Sequence, residues 1–400
     1  MPGAQSTPIL TKHLTDPADA LREGAAIARF CAENAPQLDR EGAFPEEEFR
    51  RIAEAGLLAA PLPRALGGLG FGTEPGGMRP GLQLLTLFGW GSLPVGRVYE
   101  GHVNALQLIA LFGTPEQRER YAADERDGKL FAVWNTERPD GVKLEPQAGG
   151  GARLRGAKLY TSGAGWVERA IVPGALPDGG GQITVVPMDE VTTAIDRSVW
   201  HPLGMRASAS YQTDFTGVEL AAEALLGAPG SYHRQPWFSG GAVRFAAVQL
   251  GGASALLDAA RAELRALGRT DDPFQRARIG EAAALIAGGQ GWLRETAAIL
   301  DTSPLAFQAT PPPPPETIAR VVAHANLTRT AIAEACVRVI DIVERSIGMR
   351  GLLQPHPIER IGRDLTLYLR QPAPDAAIAG AGAYVLEDPR PILDLWDPER

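Results

Sequence analysis

The spacing of apolar residues changes twice along this chain of 400 residues. Over residues 1–129 apolar positions recur every three or four residues, as they do on one face of a helix. Over residues 130–234 short apolar runs are separated by Gly, Pro and Asp, which is typical of short strands joined by turns. Over residues 235–400 long Ala- and Leu-rich stretches return to the helical spacing. The pattern therefore predicts a helical domain, a β domain and a helical bundle, in that order.

Helix start and stop signals support both helical regions. Asp16 and Thr114 are predicted cap residues, and a proline follows Thr114 at the first helical position. Near the C-terminus, the stretch "IERIGRDLTLYLRQPAPDA" reads as a helix until Pro372 and Pro374 interrupt it. Five consecutive prolines at 311–315 predict a stiff connector that leads into another helix.

The order of these blocks indicates the α+β class, because a doubly wound fold would alternate strands with helices throughout. The glycine-rich stretch "LGGLGFG" does not match a dinucleotide-binding loop, and the sequence contains neither a P-loop nor a GxSxG nucleophile elbow. The six histidines lack the spacing of metal ligands, so we predict no metal site. Cys31 and Cys336 are predicted to be small buried thiols rather than a disulfide pair.

Charge and hydropathy narrow the class of partner. The formal net charge of −8 and the lack of a basic patch disfavour nucleic acid and anionic membranes. The chain has no run of about 18 apolar residues, so we expect no membrane span. The first residues, "MPGAQSTPILTKHL", lack the basic and apolar segments of a secretory signal. We therefore expect a cytoplasmic protein that acts on a small molecule.

Two segments of the β region carry polar residues where strands are expected to end. "WNTE", residues 134–137, places Asn and Thr at one strand end. "KLYTSGAG", residues 158–165, places an aromatic ring, two hydroxyls and glycines at another. Each segment alone is typical of a turn. Together they can hydrogen-bond the rim of a planar cofactor while the aromatic ring covers its face.

Five stretches, taken in their order and spacing, resemble the acyl-CoA dehydrogenase family of flavoproteins over nearly the whole chain. They are FPEEEFRRIAEAGLLAAPLPRALGGLG, GTPEQRERYAADERDGKLFAVWNTE, LRGAKLYTSGAG, HPLGMRASASYQTDFTGVELAAEALLG and RFAAVQLGGASALLDAA. The resemblance implies an N-terminal helical domain, a central β-barrel domain and a C-terminal four-helix bundle, with FAD bound between the last two. It also implies a homodimer or homotetramer, because a neighbouring subunit usually completes the FAD site in this family.

The same resemblance implies roles for residues of the two strand-end segments. Asn135 and Thr136 would meet the pyrimidine edge of the flavin, and Tyr160 would cover a face of its ring system. Thr161 and Ser162 would lie near N5, the flavin atom that accepts hydride. These five residues form the cofactor-binding set that the resemblance implies for the β domain.

The bundle would supply further contacts by the same resemblance. Arg269 would meet the FAD pyrophosphate of a neighbouring subunit, with Arg265 as the alternative. Gly348, in "RSIGMRG", resembles a glycine turn beside the neighbour's adenine. Arg244 would lie on the substrate side, where the family often has an arginine.

An acyl-CoA dehydrogenase also needs a carboxylate that removes the α-proton of a thioester. In the commonest family pattern a Glu follows an Arg-Asp helix, and the matching position here is Pro372. Other members carry the base just before the bundle arginine, where this chain has Val243. Asp375 is the nearest acid and would need a different loop path to act as the base, and a surface position is its simpler interpretation. Arg363 and Asp364 are interpreted as a structural ion pair rather than a catalytic one.

Three hypotheses follow. The first is an FAD-dependent oxidoreductase that dehydrogenates an acyl thioester, possibly acyl-CoA, with hydride transfer to flavin N5, Asp375 as the base and Arg244 beside the substrate. The alternative is a flavin-dependent monooxygenase of the same fold, which takes reduced FMN or FAD from a reductase and uses O₂. In that enzyme Ser162 would hydrogen-bond the flavin near N5. The third hypothesis is a non-catalytic member that holds flavin, or an empty pocket, for assembly with a partner.

Overall fold

Five helices form the N-terminal part of the computed structural model, which describes residues 12–301 and 313–396. Asp16 caps the first helix by accepting a hydrogen bond from the backbone N–H of Ala18. Thr114 and Gln117 form a reciprocal capping box at the start of the fifth. Both predicted caps are therefore present. The helices are α1 (Pro17–Leu38), α2 (Glu46–Glu54), α3 (Met78–Gly91), α4 (Leu93–Phe112) and α5 (Pro115–Arg126).

The middle of the chain forms short strands, as its turn-rich pattern predicts. They are β1 (Phe131–Val133), β2 (Lys143–Pro146), β3 (Ala152–Arg155), β4 (Ala157–Thr161), β5 (Arg169–Ala175), β6 (Gly181–Pro187), β7 (Ala194–Asp196), β8 (Tyr211–Asp214), β9 (Glu219–Leu220) and β10 (Leu225–Leu226). One sheet has the order β10-β6-β5-β2-β3-β9, with β1 parallel to β5, and a smaller sheet has the order β4-β8-β7. The two strand-end segments singled out in the sequence follow β1 and close β4, so they adjoin different sheets.

The C-terminal part is a helical bundle. Its helices are α6 (Trp237–Gly240), α7 (Ala242–Ala266), α8 (Pro273–Asp301), α9 (Pro315–Ile347), α10 (Pro357–Tyr368) and α11 (Pro374–Glu387). Pro315 opens α9, as the proline run predicts, whereas Pro311 and Pro312 lie outside the described residues. The expected stop after α10 occurs at Tyr368, but Pro374 also starts a further helix, because its fixed φ suits a first helical turn.

The N-terminal helices and the bundle share one core through α3 and α7. An ideal Cβ placed on Gly89 would lie 2.2 Å from the carbonyl oxygen of Val248, and one placed on Gly251 would lie 2.2 Å from that of Thr86. These two glycines therefore allow the helix backbones to touch. The backbone N–H of Met78 also donates to Asp301 at the end of α8, at 2.8 Å.

Helix α10 joins the bundle to the β domain. The buried carboxylate of Asp364 accepts a hydrogen bond from the backbone N–H of Met205 at 2.5 Å, and burial raises its pKa to about 6. Arg363 pairs with Asp39 at 2.6 Å and donates to the carbonyl of Leu203 at 2.8 Å. The predicted ion pair between Arg363 and Asp364 is therefore wrong, because each residue has structural partners on other elements.

The expected three-part α+β fold is confirmed, with helical outer parts and a β-sheet middle. Cys31 and Cys336 are both fully buried in the core, as predicted. Within the described residues, no helix has the length and apolar character needed to cross a membrane.

Candidate functional site

The structure brings the two strand-end segments side by side. The backbone N–H of Leu159 donates to the carbonyl of Thr136 at 2.7 Å, and the ammonium of Lys158 donates to the carbonyl of Asn135 at 3.2 Å. Lys158 is buried and also pairs with Glu137. These bonds hold the exposed side chains of Asn135 and Thr136 beside the end of β4. The prediction that the two segments share a site is therefore consistent with their positions.

Tyr160 stands out on this face because of its backbone. Its φ is +52°, and the pairing of β4 with β8 shifts register between Lys158 and Thr161. Few residues other than glycine adopt such a φ, and strained positions of this kind concentrate at functional sites. The bulge aims the Tyr160 ring outward, where it is 55% exposed and meets the edge of Trp200 at 6.2 Å between ring centroids.

The two hydroxyls that follow Tyr160 have different environments. The Thr161 hydroxyl is buried, donates to the carbonyl of Tyr211 at 2.9 Å and lies 2.9 Å from the Thr213 hydroxyl. Its hydrogen-bonding capacity is thus used inside the small sheet. Only the backbone of Thr161 is therefore left to contact a flavin near N5. Ser162 is the better candidate for a hydroxyl group at that position.

Ser162 belongs to a row of three hydroxyls that was not predicted from the sequence. Its Oγ lies 2.7 Å from the Oγ of Ser210, which lies 2.8 Å from the Oγ of Ser208. Its carbonyl accepts a hydrogen bond from the indole N–H of Trp134 at 3.0 Å. All three hydroxyls are buried, and each can both donate and accept. The only sequence signal for this row was the alternation of serine and alanine in "RASAS".

Helix α4 connects this turn to Arg244. An ideal Cβ on Gly163 would lie 3.7 Å from Cγ1 of Val98, so the turn after Ser162 contacts α4 directly. Further along α4, Asn104 accepts a hydrogen bond from Nη2 of Arg244 at 2.6 Å, and Gln107 accepts one from its Nη1. Arg244 is thus positioned by α4 at the α4–α7 boundary.

A buried carboxylate lies beside Arg244, and the sequence pattern did not single it out. Glu100 on α4 accepts a hydrogen bond from Nη1 of Arg97 at 2.8 Å, and its other oxygen lies 3.9 Å from Nε of Arg244. Two tyrosines, Tyr232 and Tyr368, have pKa values that are raised first by burial and then by the charge of Glu100. Arg97, Glu100, Arg244 and these tyrosines, together with Asn104 and Gln107, form what we call the α4 cluster.

Arg269 and Gly348 lie at one end of the bundle. The exposed guanidinium of Arg269 pairs with Asp272 at 2.8 Å, in the turn between α7 and α8. Gly348 has φ of +69° and ends α9. Gln275 links the two regions by donating to the carbonyl of Ser346 at 3.2 Å. Their roles toward a neighbouring subunit remain predictions.

The positions where the family pattern expects a base are not acidic. Val243 is fully buried in α7, and the carbonyl of Pro372 accepts a hydrogen bond from Nη2 of Arg329 at 2.9 Å. Asp375 lies exposed in the first turn of α11. Since a general base must reach its proton, the exposed Asp375 would have to move inward to serve. Across residues 12–301 and 313–396, His, Cys, Asp and Glu side chains form no group of three suited to a metal ion.

Comparisons with known proteins agree with this architecture. Residues 17–129 match the model for the acyl-CoA dehydrogenase N-terminal domain, and residues 243–369 match that for the C-terminal domain. A dibenzothiophene monooxygenase of Rhodococcus erythropolis is 26% identical, covering 94% of this chain and 96% of the relative.

Two solved structures have the same fold. The FMN-bound dibenzothiophene monooxygenase TdsC from Paenibacillus sp. A11-2 has a TM-score of 0.83 at 20% identity, covering 94% of this chain and 100% of that one. Butyryl-CoA dehydrogenase from Megasphaera elsdenii has a TM-score of 0.78 at 19% identity, covering 94% of this chain and 99% of that one. The chain belongs to the acyl-CoA dehydrogenase superfamily.

Proposed function

We propose that this protein is a flavin-dependent monooxygenase that uses O₂ and reduced flavin from a separate reductase. The observation that carries the proposal is the similarity to a dibenzothiophene monooxygenase over 94% of this chain. The apolar residues Val243 and Pro372 at the two usual base positions support it, because an oxygenase of this kind needs no base to abstract a carbon-bound proton. This was the alternative at the level of the sequence, and it is now better supported than dehydrogenation of a thioester.

The chain offers a surface that suits a flavin. A flavin ring is planar, apolar on its faces and polar at its rim. The outward ring of Tyr160 provides an apolar face, and the exposed side chains of Asn135 and Thr136 provide hydrogen-bonding groups next to it. Hydrogen bonds from Leu159 and Lys158 of β4 hold the backbone of these two residues before any ligand arrives, which lowers the entropy lost on binding.

Reduced flavin and O₂ supply the oxidising chemistry: one oxygen atom enters the substrate, the other leaves as water, and the flavin leaves oxidised. The protein must then keep water away and hold protons in place. Ser162 is 5% exposed as a residue, and its hydroxyl is hydrogen-bonded to that of Ser210 and through it to that of Ser208. A row of hydroxyls can pass or hold a proton by reorientation without gaining net charge. We assign Ser162 this role.

We propose FMN as the working form, and the pairing of Arg269 is compatible with it. FAD would add a pyrophosphate that needs cationic partners. The proposed partner, Arg269, is already paired with Asp272. FMN lacks that linkage, and the flavin in the TdsC structure is FMN. FAD held with the help of a neighbouring subunit is the other form.

Dehydrogenation of an acyl thioester is the second candidate, and the shared fold with butyryl-CoA dehydrogenase favours it. It requires a base. Neither nearby acid is well placed to be that base. Asp375 is exposed in the described structure, and Glu100 accepts a hydrogen bond from Arg97. The third candidate, a non-catalytic flavin carrier, requires only the surface around Tyr160.

The first test uses photoreduced FMN, purified protein and oxygenated buffer, with hydrogen peroxide release as the readout. We expect the protein to slow release at least tenfold relative to free reduced FMN, because a shielded site would keep water and free protons away from the bound flavin. Ser162→Ala should bring the rate within threefold of free FMN. Thr184→Val is the matched control and should keep the delay, because that buried hydroxyl donates to the carbonyl of Val172 within the larger sheet.

Two outcomes would contradict the proposal. If release is not slowed, and butyryl-CoA bleaches the oxidised flavin anaerobically, the protein is a dehydrogenase, and Asp375→Asn and Glu100→Gln would identify its base. If release is not slowed and no thioester bleaches the bound flavin, the non-catalytic candidate stands.

A further inference from the structure

We infer that the α4 cluster binds the anionic group of the substrate, so that the substrate is a small organic acid carrying a carboxylate or a sulfur oxyanion. That the bound anion is part of a substrate depends on the proposed function, whereas the binding of an anion does not.

The cluster has one more cation than anion. Arg97 and Arg244 are both ion-paired only to Glu100 within the described residues, at 2.8 and 3.9 Å. The other partners of Arg244, Asn104 and Gln107, are neutral. Burial lowers the pKa of the Arg244 guanidinium, which shows that its charge is held at a cost. A bound anion would neutralise the surplus charge.

Among the described residues, two polar atoms of the cluster are buried and lack a hydrogen-bond partner. They are Nε of Arg244 and the hydroxyl of Tyr368, a residue that is 5% exposed. Buried donors normally find partners, and exceptions often mark a site for a ligand or a water molecule. Both atoms can donate to an oxyanion. Arg97 remains 25% exposed, so its side chain is accessible from outside.

The cluster is continuous with the candidate flavin surface through α4. Gly101, one residue after Glu100, lies against β1, since its ideal Cβ would be 3.9 Å from Cα of Ala132. Val98, one residue after Arg97, faces the Gly163 turn next to Ser162. The α4 cluster and the turn beside Ser162 therefore lie against the same helix.

This arrangement does not suit an uncharged aromatic substrate such as dibenzothiophene. Covering the accessible side chain of Arg97 with an apolar ring would strip water from its charge without replacing the hydrogen bonds of that water. An oxyanion replaces that water with charge-assisted bonds to the guanidinium. The α4 cluster therefore favours acids over their neutral analogues.

The test is calorimetric titration of the purified protein with benzoate, benzenesulfinate and benzyl alcohol, without reductant. We expect at least one of the two anions to bind at least tenfold more tightly than the alcohol, and their ratio tells a carboxylate site from a sulfur-oxyanion site. Arg97→Met should abolish the preference, whereas Arg120→Met, which removes an exposed arginine of α5, should keep it.

Glu100→Gln provides a readout that a structural role would not produce. It removes the competing carboxylate but keeps the shape, so we expect anion affinity to rise at least threefold. Equal binding of acid and alcohol, or a preference that survives Arg97→Met, would overturn the inference. The titration does not measure flavin turnover, so the two proposals can fail separately. If peroxide release is not slowed but the preference for anions is observed, only the monooxygenase proposal is contradicted.

Discussion

The carboxyl of Glu125 is buried and has an unpartnered oxygen, although it lies outside the candidate site. It lines a surface cavity of about 390 Å³ with Lys12, His13, Glu119 and Arg126 among its neighbours. Burial raises its pKa from 4.5 to about 8. The folded protein thus holds this proton at a pH where the unfolded chain releases it.

The first prediction concerns stability against pH. Since the pKa is raised in the folded state, the contribution of Glu125 is fully favourable below about pH 4.5 and is lost as pH rises toward about 8. Glu125→Gln cannot ionise, so it should be more stable than wild type at pH 8.5, by up to about 4 kcal/mol. At pH 4.5 the two should agree within about 1 kcal/mol. Urea unfolding at both pH values measures this.

Glu119→Gln is the matched control, because Glu119 lines the same cavity but is exposed. It should change stability by less than about 0.5 kcal/mol at either pH. A Glu125→Gln protein whose advantage does not grow between pH 4.5 and 8.5 would show that Glu125 is not held protonated.

At the scale of elements, the crossing of α3 and α7 sets how closely the N-terminal helices approach the bundle. Gly251→Ala would place a methyl group 2.2 Å from a backbone oxygen, and a backbone cannot move aside as a flexible side chain can. We expect a loss of about 1 to 3 kcal/mol in the free energy of unfolding. Thermal or urea unfolding gives the value.

Gly280→Ala in α8 is the comparison. It is exposed and its added Cβ would meet no atom within 4 Å, so it should gain about 0.5 to 1 kcal/mol from helix propensity. If the two alanine variants behaved alike, the close crossing of α3 and α7 would be wrong.

Most helices, but not all, could be predicted from the sequence. Caps and periodicity located α1, α5 and the long bundle helices, because those signals are local. Helix α11 was missed, since Pro374 reads equally as the end of one helix or the start of the next.

Some residues of the candidate site could likewise be predicted from the sequence, and others could not. The segments around Asn135 and Tyr160 were found by their residue types, but the strand register that pairs them is a tertiary property. Ser210 and Glu100 were missed because each looks ordinary in its own segment. Their long-range neighbours, Arg244 for Glu100 and Ser162 for Ser210, come from the approach of α4 to α7 and of β8 to β4.

For the whole molecule, exposed apolar side chains gather at the bundle end that holds Arg269 and Gly348. They are Leu267, Phe274, Met349, Leu352 and Leu353. Arg350 pairs with Glu263 at 3.4 Å, which brings the turn after α9 to the end of α7. Apolar surface gathered in this way is typical of an interface.

We therefore predict that the protein is a homodimer or homotetramer. Light scattering coupled to size exclusion should give two or four times the chain mass of 42.5 kDa. The double variant Phe274→Glu and Met349→Glu should shift the mass toward the monomer, because it places charges within the contact. Val199→Glu, which alters an exposed apolar residue of the β domain, should not. A monomeric wild type would contradict the prediction.

The ion pair between Asp39 and Arg363 has a consequence for synthesis. Its partners are 324 residues apart, so the ribosome must make most of the chain before the pair can form. The apolar face of helix α3 likewise cannot be covered until α7 has been synthesised. The nascent N-terminal helices therefore remain incompletely buried during most of translation, which is when chaperones and proteases meet them. We therefore expect codon choice and growth temperature to affect the yield of intact protein more strongly than they would for a protein whose parts fold independently.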